Sequence, residues 1–83
     1  MKDFKLRVRV RFKEGILDPQ SEVIFQKLKQ MEFEALQFVE CEKSFLLGLK
    51  AEDESEATDL ARQMAQQLLA NVVMEIFEVE ILR

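Results

Sequence analysis

Histidine, tyrosine and tryptophan are absent from this 83-residue chain, and cysteine and proline occur once each. Without histidine there is no imidazole to activate Cys41, so a nucleophilic role for that thiol has nothing to draw on. A single cysteine also excludes a disulfide framework within the chain. The only two glycines, Gly15 and Gly48, stand far apart, so there is no glycine-rich phosphate loop. CxxC, HExxH and GxSxG patterns are missing too. No apolar run approaches the roughly 20 residues of a membrane span. Met1-Lys2-Asp3-Phe4-Lys5 leads straight into alternating charged and apolar residues, unlike a signal-peptide core. These absences predict a soluble, cytoplasmic protein that is not an independent enzyme.

What is present is enough to fold. Hydrophobic residues make up 48% of the chain and charged residues 34%, which excludes disorder and predicts one domain over 1–83. A domain this small buries only about 60% of the surface its unfolded chain exposes, which makes it a natural candidate for oligomerisation. The net charge of −4 and the lack of aromatic platforms argue against nucleic-acid or membrane-surface binding.

Phe4, Leu6, Val8, Val10 and Phe12 alternate with Lys5, Arg7, Arg9, Arg11 and Lys13, the period of a half-buried strand with one basic face. Glu14-Gly15-Ile16-Leu17-Asp18-Pro19-Gln20 then ends the strand, turns and starts a helix. Asp18 suits the N-cap, where its carboxylate accepts from free backbone N–H groups, and Pro19 suits the first helical position. The helix is expected over Pro19–Met31, with Val23, Ile24, Leu28 and Met31 on one arc. Phe25 lies at its margin, as rim packing or as a contact for a partner subunit.

Phe33–Glu42 reads as a second strand, with Ala35, Val39 and Cys41 on one face and Leu36 and Phe38 on the other. Glu42-Lys43-Ser44 is expected to turn into a third strand over Phe45–Lys50. Its inward set is Phe45, Leu47 and Leu49, which leaves Leu46 and Gly48 outward. Asp53 and Glu56 have the form of a capping box for a second helix over Glu54–Ala70. Its expected inner line is Ala57, Leu60, Ala61, Met64 and Leu68, and Asn71 suits a left-handed residue just past its end. The acidic run before this helix is a solvated helix start rather than a metal site. A last strand over Val73–Leu82 turns Phe77, Val79 and Ile81 inward, and Glu78, Glu80 and Ile76 outward.

The order β-α-β-β-α-β predicts an α+β fold of ferredoxin-like form: an antiparallel sheet with two helices on one face. First and last strands would be neighbours, setting Arg7, Arg9 and Arg11 across from Glu78 and Glu80. Leu36, Phe38, Leu46 and Ile76 would form an apolar outer patch, and such a patch predicts a homo-oligomer through the open sheet face or its edges.

With these elements placed, the chain resembles the PurS family over nearly its whole length. Lys13-Glu14-Gly15-Ile16-Leu17-Asp18-Pro19-Gln20 is similar to the family's K-E-x-[IV]-L-D-P-Q, and Leu68-Leu69-Ala70-Asn71-Val72-Val73 to its L-L-A-N-x-V. Lys43 falls where a lysine usually begins the third strand. Ser21 replaces the glycine that generally follows D-P-Q, Val39-Glu40-Cys41-Glu42-Lys43 departs from V-R-x-G-K, and Glu75-Ile76 replaces part of an acidic pair. The resemblance implies a small, non-catalytic subunit of phosphoribosylformylglycinamidine (FGAM) synthase, the glutamine-dependent ligase of purine biosynthesis. Such a subunit would join a large ATP-dependent subunit, PurL, to a glutaminase subunit, PurQ, so that ammonia passes between them. It would bind no cofactor or metal of its own, ATP and magnesium belonging to the large subunit, and would form dimers or tetramers. It implies Leu17, Asp18, Pro19, Gln20, Lys43 and Asn71 as positions shaping subunit contacts, beside the apolar candidates Phe25, Phe38, Leu46 and Ile76. The alternative is a stand-alone ferredoxin-like regulatory module that binds a small ligand at an oligomer interface.

Overall fold

The computed structural model describes all residues from Met1 to Arg83. Strand β1 (Lys2–Phe12) leads into helix α1 (Pro19–Gln30), and strand β2 (Lys43–Ala51) into helix α2 (Glu54–Met64). One π-helical segment (Ala65–Leu69) extends α2, and strand β3 (Glu75–Leu82) closes the chain. The sheet is antiparallel in the order β2-β1-β3, so the first and last strands are neighbours as expected. The register sets Arg7 opposite Glu80 and Arg9 opposite Glu78. Ion pairs follow at 3.7 Å for Arg7–Glu80, 3.2 Å for Arg9–Glu78 and 3.5 Å for Arg11–Glu78. Each is solvent-exposed and contributes only about 0.2–1 kcal/mol, so the ladder fixes register more than stability.

The inward face follows the period-two pattern. Leu6 and Val8 are fully buried and Val10 nearly so, with Phe4, Phe45, Leu47, Leu49, Phe77, Val79 and Ile81 packed around them. Burying each large aliphatic side chain is worth about 1.5–3 kcal/mol, so the centre of β1 carries much of the fold. Helix α2 starts at Asp53, whose carboxylate accepts the Glu56 N–H at 2.9 Å. It lies against all three strands along Ala57, Ala61 and Ala65, each fully buried. Small residues spaced by four let the backbone settle on the sheet. Large side chains are therefore pushed to the flank, which corrects two expected core positions: Met64 is 38% exposed and Leu68 85%. The π-turn, closed by Ala70 N–H donating to Ala65 C=O at 2.9 Å, adds a residue to that turn. Leu69 packs on the core and Leu68 faces water.

The α+β class, the antiparallel sheet and both helices are as expected. The strand expected over Phe33–Glu42 does not form in the single chain, and no hairpin turn precedes β2, which already includes Lys43 and Ser44. Two local bonds direct this segment elsewhere. Helix α1 ends in a Schellman arrangement, with Glu32 N–H donating to Lys29 C=O at 3.0 Å and Phe33 N–H to Leu28 C=O at 3.2 Å. Farther along, the Cys41 N–H donates to Ser21 Oγ at 3.0 Å, which holds the segment against the start of α1 rather than along the sheet.

Helix α1 itself lends no residue to the core, and Ser21 is its only buried residue. With α2 placed across the middle of a three-stranded sheet, no half-face remains for a second helix. The arc expected to point inward is therefore open, with Val23 54% and Met31 63% exposed. The molecule measures 53 × 27 × 14 Å, with α1 and the residues after it forming an arm.

Candidate subunit-contact surface

The turn before α1 is built from local chemistry. Gly15 takes φ +86°, a conformation open to glycine at little cost, and Ile16 N–H closes the turn onto Lys13 C=O at 3.1 Å. Asp18 then caps α1: Oδ1 accepts the Gln20 N–H at 3.0 Å and Oδ2 accepts the Ser21 hydroxyl at 2.5 Å. Pro19 occupies the first helical position. The hydroxyl bond, above all, holds the Asp18 carboxyl below the usual carboxylate range, and the Gln20 N–H adds to it. Ser21 was noted in the sequence only as a departure from glycine. In the structure it is 7% exposed and joins the cap to Cys41.

Around this turn lies an open groove of about 690 Å³ between the end of β1, the start of α1 and residues 37–41. Leu17, Asp18, Phe25, Phe38 and Ile76 line it together, so half of the predicted contact positions meet there. Phe38 is 69% exposed, while Phe25 is half-buried under Lys29 Nζ, 5.6 Å from its ring centroid. The same ammonium donates to the Glu34 C=O at 2.8 Å, pinning the turn after α1. Arg11 and Lys13 line the groove together with Glu14, Asp18, Glu22 and Glu40. Pro19 and Gln20 sit beside the groove without lining it.

Two further candidates, Lys43 and Asn71, meet at Glu75, noted in the sequence only as part of a departure from an acidic pair. Glu75 is 7% exposed, and its carboxylate accepts the Asn71 N–H at 2.7 Å and pairs with Lys43 Nζ at 3.2 Å. The bond from Asn71 is the main reason the Glu75 carboxyl titrates below its ordinary value, with Lys43 contributing and burial opposing. Strand parity held the missing signal, since Glu75 shares the inward phase of Phe77 and Val79. Asn71 does not take the left-handed conformation expected of it; that role falls to Glu32 in the other helix, at φ 73°. Asn71 instead caps the turn into β3, with Oδ1 accepting the Val73 N–H at 3.1 Å and its carbonyl accepting the Met74 and Glu75 N–H groups.

The outer sheet face differs from expectation. Leu46, 60% exposed and opposite Arg7, is its one large, strongly exposed aliphatic residue, set beside the arginine–glutamate ladder. Leu36 and Phe38 are not on that face, because their segment is not a strand there. The exposed apolar side chains gather on the arm and on the adjoining end of the body, where Leu68, Val72, Val73 and Met74 lead into β3.

Fold and surface define the class: a small α+β subunit equipped for contact with other chains. The family model for PurS, described as phosphoribosylformylglycinamidine (FGAM) synthase, matches residues 5–83, and the chain belongs to that family. The PurS subunit of this synthase from Bacillus subtilis is 32% identical over 78 residues, covering 94% of this chain and 92% of the relative. The B. subtilis PurS crystal structure superposes with a TM-score of 0.84 at 31% identity, covering 96% of this chain and 99% of that one. A chain in the structure of PurLQS from Thermotoga maritima gives a TM-score of 0.89 at 28% identity, covering 99% of this chain and 100% of that one.

Proposed function

We propose that this chain is the non-catalytic small subunit that joins the ATP-dependent and glutaminase subunits of FGAM synthase and supports ammonia transfer between them. The observation that carries this reading is end-to-end likeness to a chain of the T. maritima PurLQS structure, with no part of either chain left over beyond a residue or so. Exposed apolar side chains on the arm supply the means of contact, both with those subunits and with further copies of this chain. ATP and its magnesium are assigned to the large subunit, and this chain holds no cofactor. No helix is long and apolar enough to cross a membrane, and a purine-pathway role suits the cytoplasm. The test is co-purification. Tagged chain mixed with the large and glutaminase subunits of its own organism, with ATP, magnesium and glutamine present, should elute as one complex. Separate elution of all three under these conditions would refute the reading.

A further inference from the structure

The outer sheet face is basic in a chain that is acidic. Lys5, Arg7, Arg9 and Arg11 stand in one row on β1, the middle strand, and the carboxylates beside them on β3 are Glu78 and Glu80. Glu78 serves both Arg9 and Arg11, Glu80 pairs with Arg7, and Lys5 makes no ion pair. On the other side of the row, β2 sets Gly48, Leu46 and Ser44 opposite Lys5, Arg7 and Arg9, with no acid among them. Lys50 and Asp3, at the end of the face, pair with each other and cancel. The face is therefore positive, while the whole chain carries −4. Arg7 and Arg9 suffice to fix the register against Glu80 and Glu78; Lys5 and Arg11 are surplus to it.

The row is also open. Helix α2 lies on the opposite face of the sheet, and the Arg7, Arg9 and Arg11 side chains are 43%, 49% and 44% exposed. At Gly48 a Cβ would meet nothing within 4 Å, and a shallow depression of about 490 Å³ has Lys5, Gly48 and Lys50 in its lining. Alternate residues of a strand lie about 6.7 Å apart, so the cations run over about 20 Å. Carboxylates on alternate residues of an extended segment have the same spacing, and the arginine fork accommodates a carboxylate with two parallel bonds. A second copy of this face does not supply them, because it would set the same positive excess against itself.

We infer that the outer sheet face is a contact surface separate from the apolar arm, and that it receives an acidic, extended segment of a catalytic subunit. This rests on the subunit role proposed above and names the surface and the chemistry through which a larger chain is met.

The test uses the full chain and the mixed large and glutaminase subunits, with ATP, magnesium and glutamine present. Lys5→Glu and Gly48→Glu each add acid to the face outside both the core and the ion-pair ladder. Each should weaken binding to the subunits about tenfold, while Lys5→Arg binds as the parent does. The parent's affinity should fall with added salt, and less steeply in the glutamate variants. Self-association of every variant, measured by sedimentation, should match the parent's. Glutamate variants that fold, by thermal melts, and bind as tightly as the parent would overturn the inference while leaving the subunit role in place. So would variants that lose self-association and keep subunit binding, which would give the face to a second copy. A parent chain that binds neither larger subunit would refute the subunit role itself.

Discussion

Glu32 holds φ 73° at the end of α1, where a side chain crowds the following carbonyl. Left-handed residues other than glycine cost about 1–2 kcal/mol, while glycine loses about 0.4–1 kcal/mol more through the unfolded chain. Glu32→Gly should therefore stabilise the helix end by about 0.5 kcal/mol, and Gly15→Ala should act oppositely; thermal unfolding of both variants checks the pair. A lower midpoint for Glu32→Gly would show that the left-handed geometry is not the controlling feature. Asp18 and Pro19 were legible in the sequence because capping is decided within three residues. Glu32 was not, because the motif it closes ordinarily announces itself with glycine. Ser21 was equally silent, since its partner Cys41 lies far along the chain.

At the scale of elements, Glu75 ties the start of β3 to the start of β2 through Lys43 and to the end of the second helical run through Asn71. Its folded titration lies below its unfolded value of about 4.5, so the stability it confers is fully present above that pH. That contribution falls away as acid carries the pH down through the folded value. Glu75→Gln keeps an acceptor for Asn71 but loses the ion pair, and should cost about 1 kcal/mol at neutral pH. The gap between variant and parent should narrow from pH 6 to pH 3 in thermal melts; a gap constant with pH would show that the charge is not what matters. The pairing of β1 with β3 was legible because three arginines on one strand faced two glutamates on the other at the same spacing. The strand expected over residues 33–42 was not settled by pattern. Alternation says that a segment could pair, while hydrogen bonds made elsewhere, here at Ser21, decide whether its own sheet receives it. Helix α2 shows the same limit: its moment points at the sheet, but alanine size set which residues touch it.

For the whole molecule, composition indicated a small oligomeric α+β domain, and two anchor motifs gave the family. The direction in which α1 leaves the sheet could not be read from the sequence, because an amphipathic face says only that something covers it. The structure leaves that face open beside Leu17, Phe38 and Ile76, in keeping with a chain whose work is done against other chains. The most direct measurement is glutamine-dependent FGAM formation by the large and glutaminase subunits, with and without this chain at stoichiometric amounts. Glutamine-dependent turnover should appear only when the chain is added, while turnover with free ammonia should depend on it far less. Full glutamine-dependent activity from the two larger subunits alone would contradict the assignment of this chain as their link.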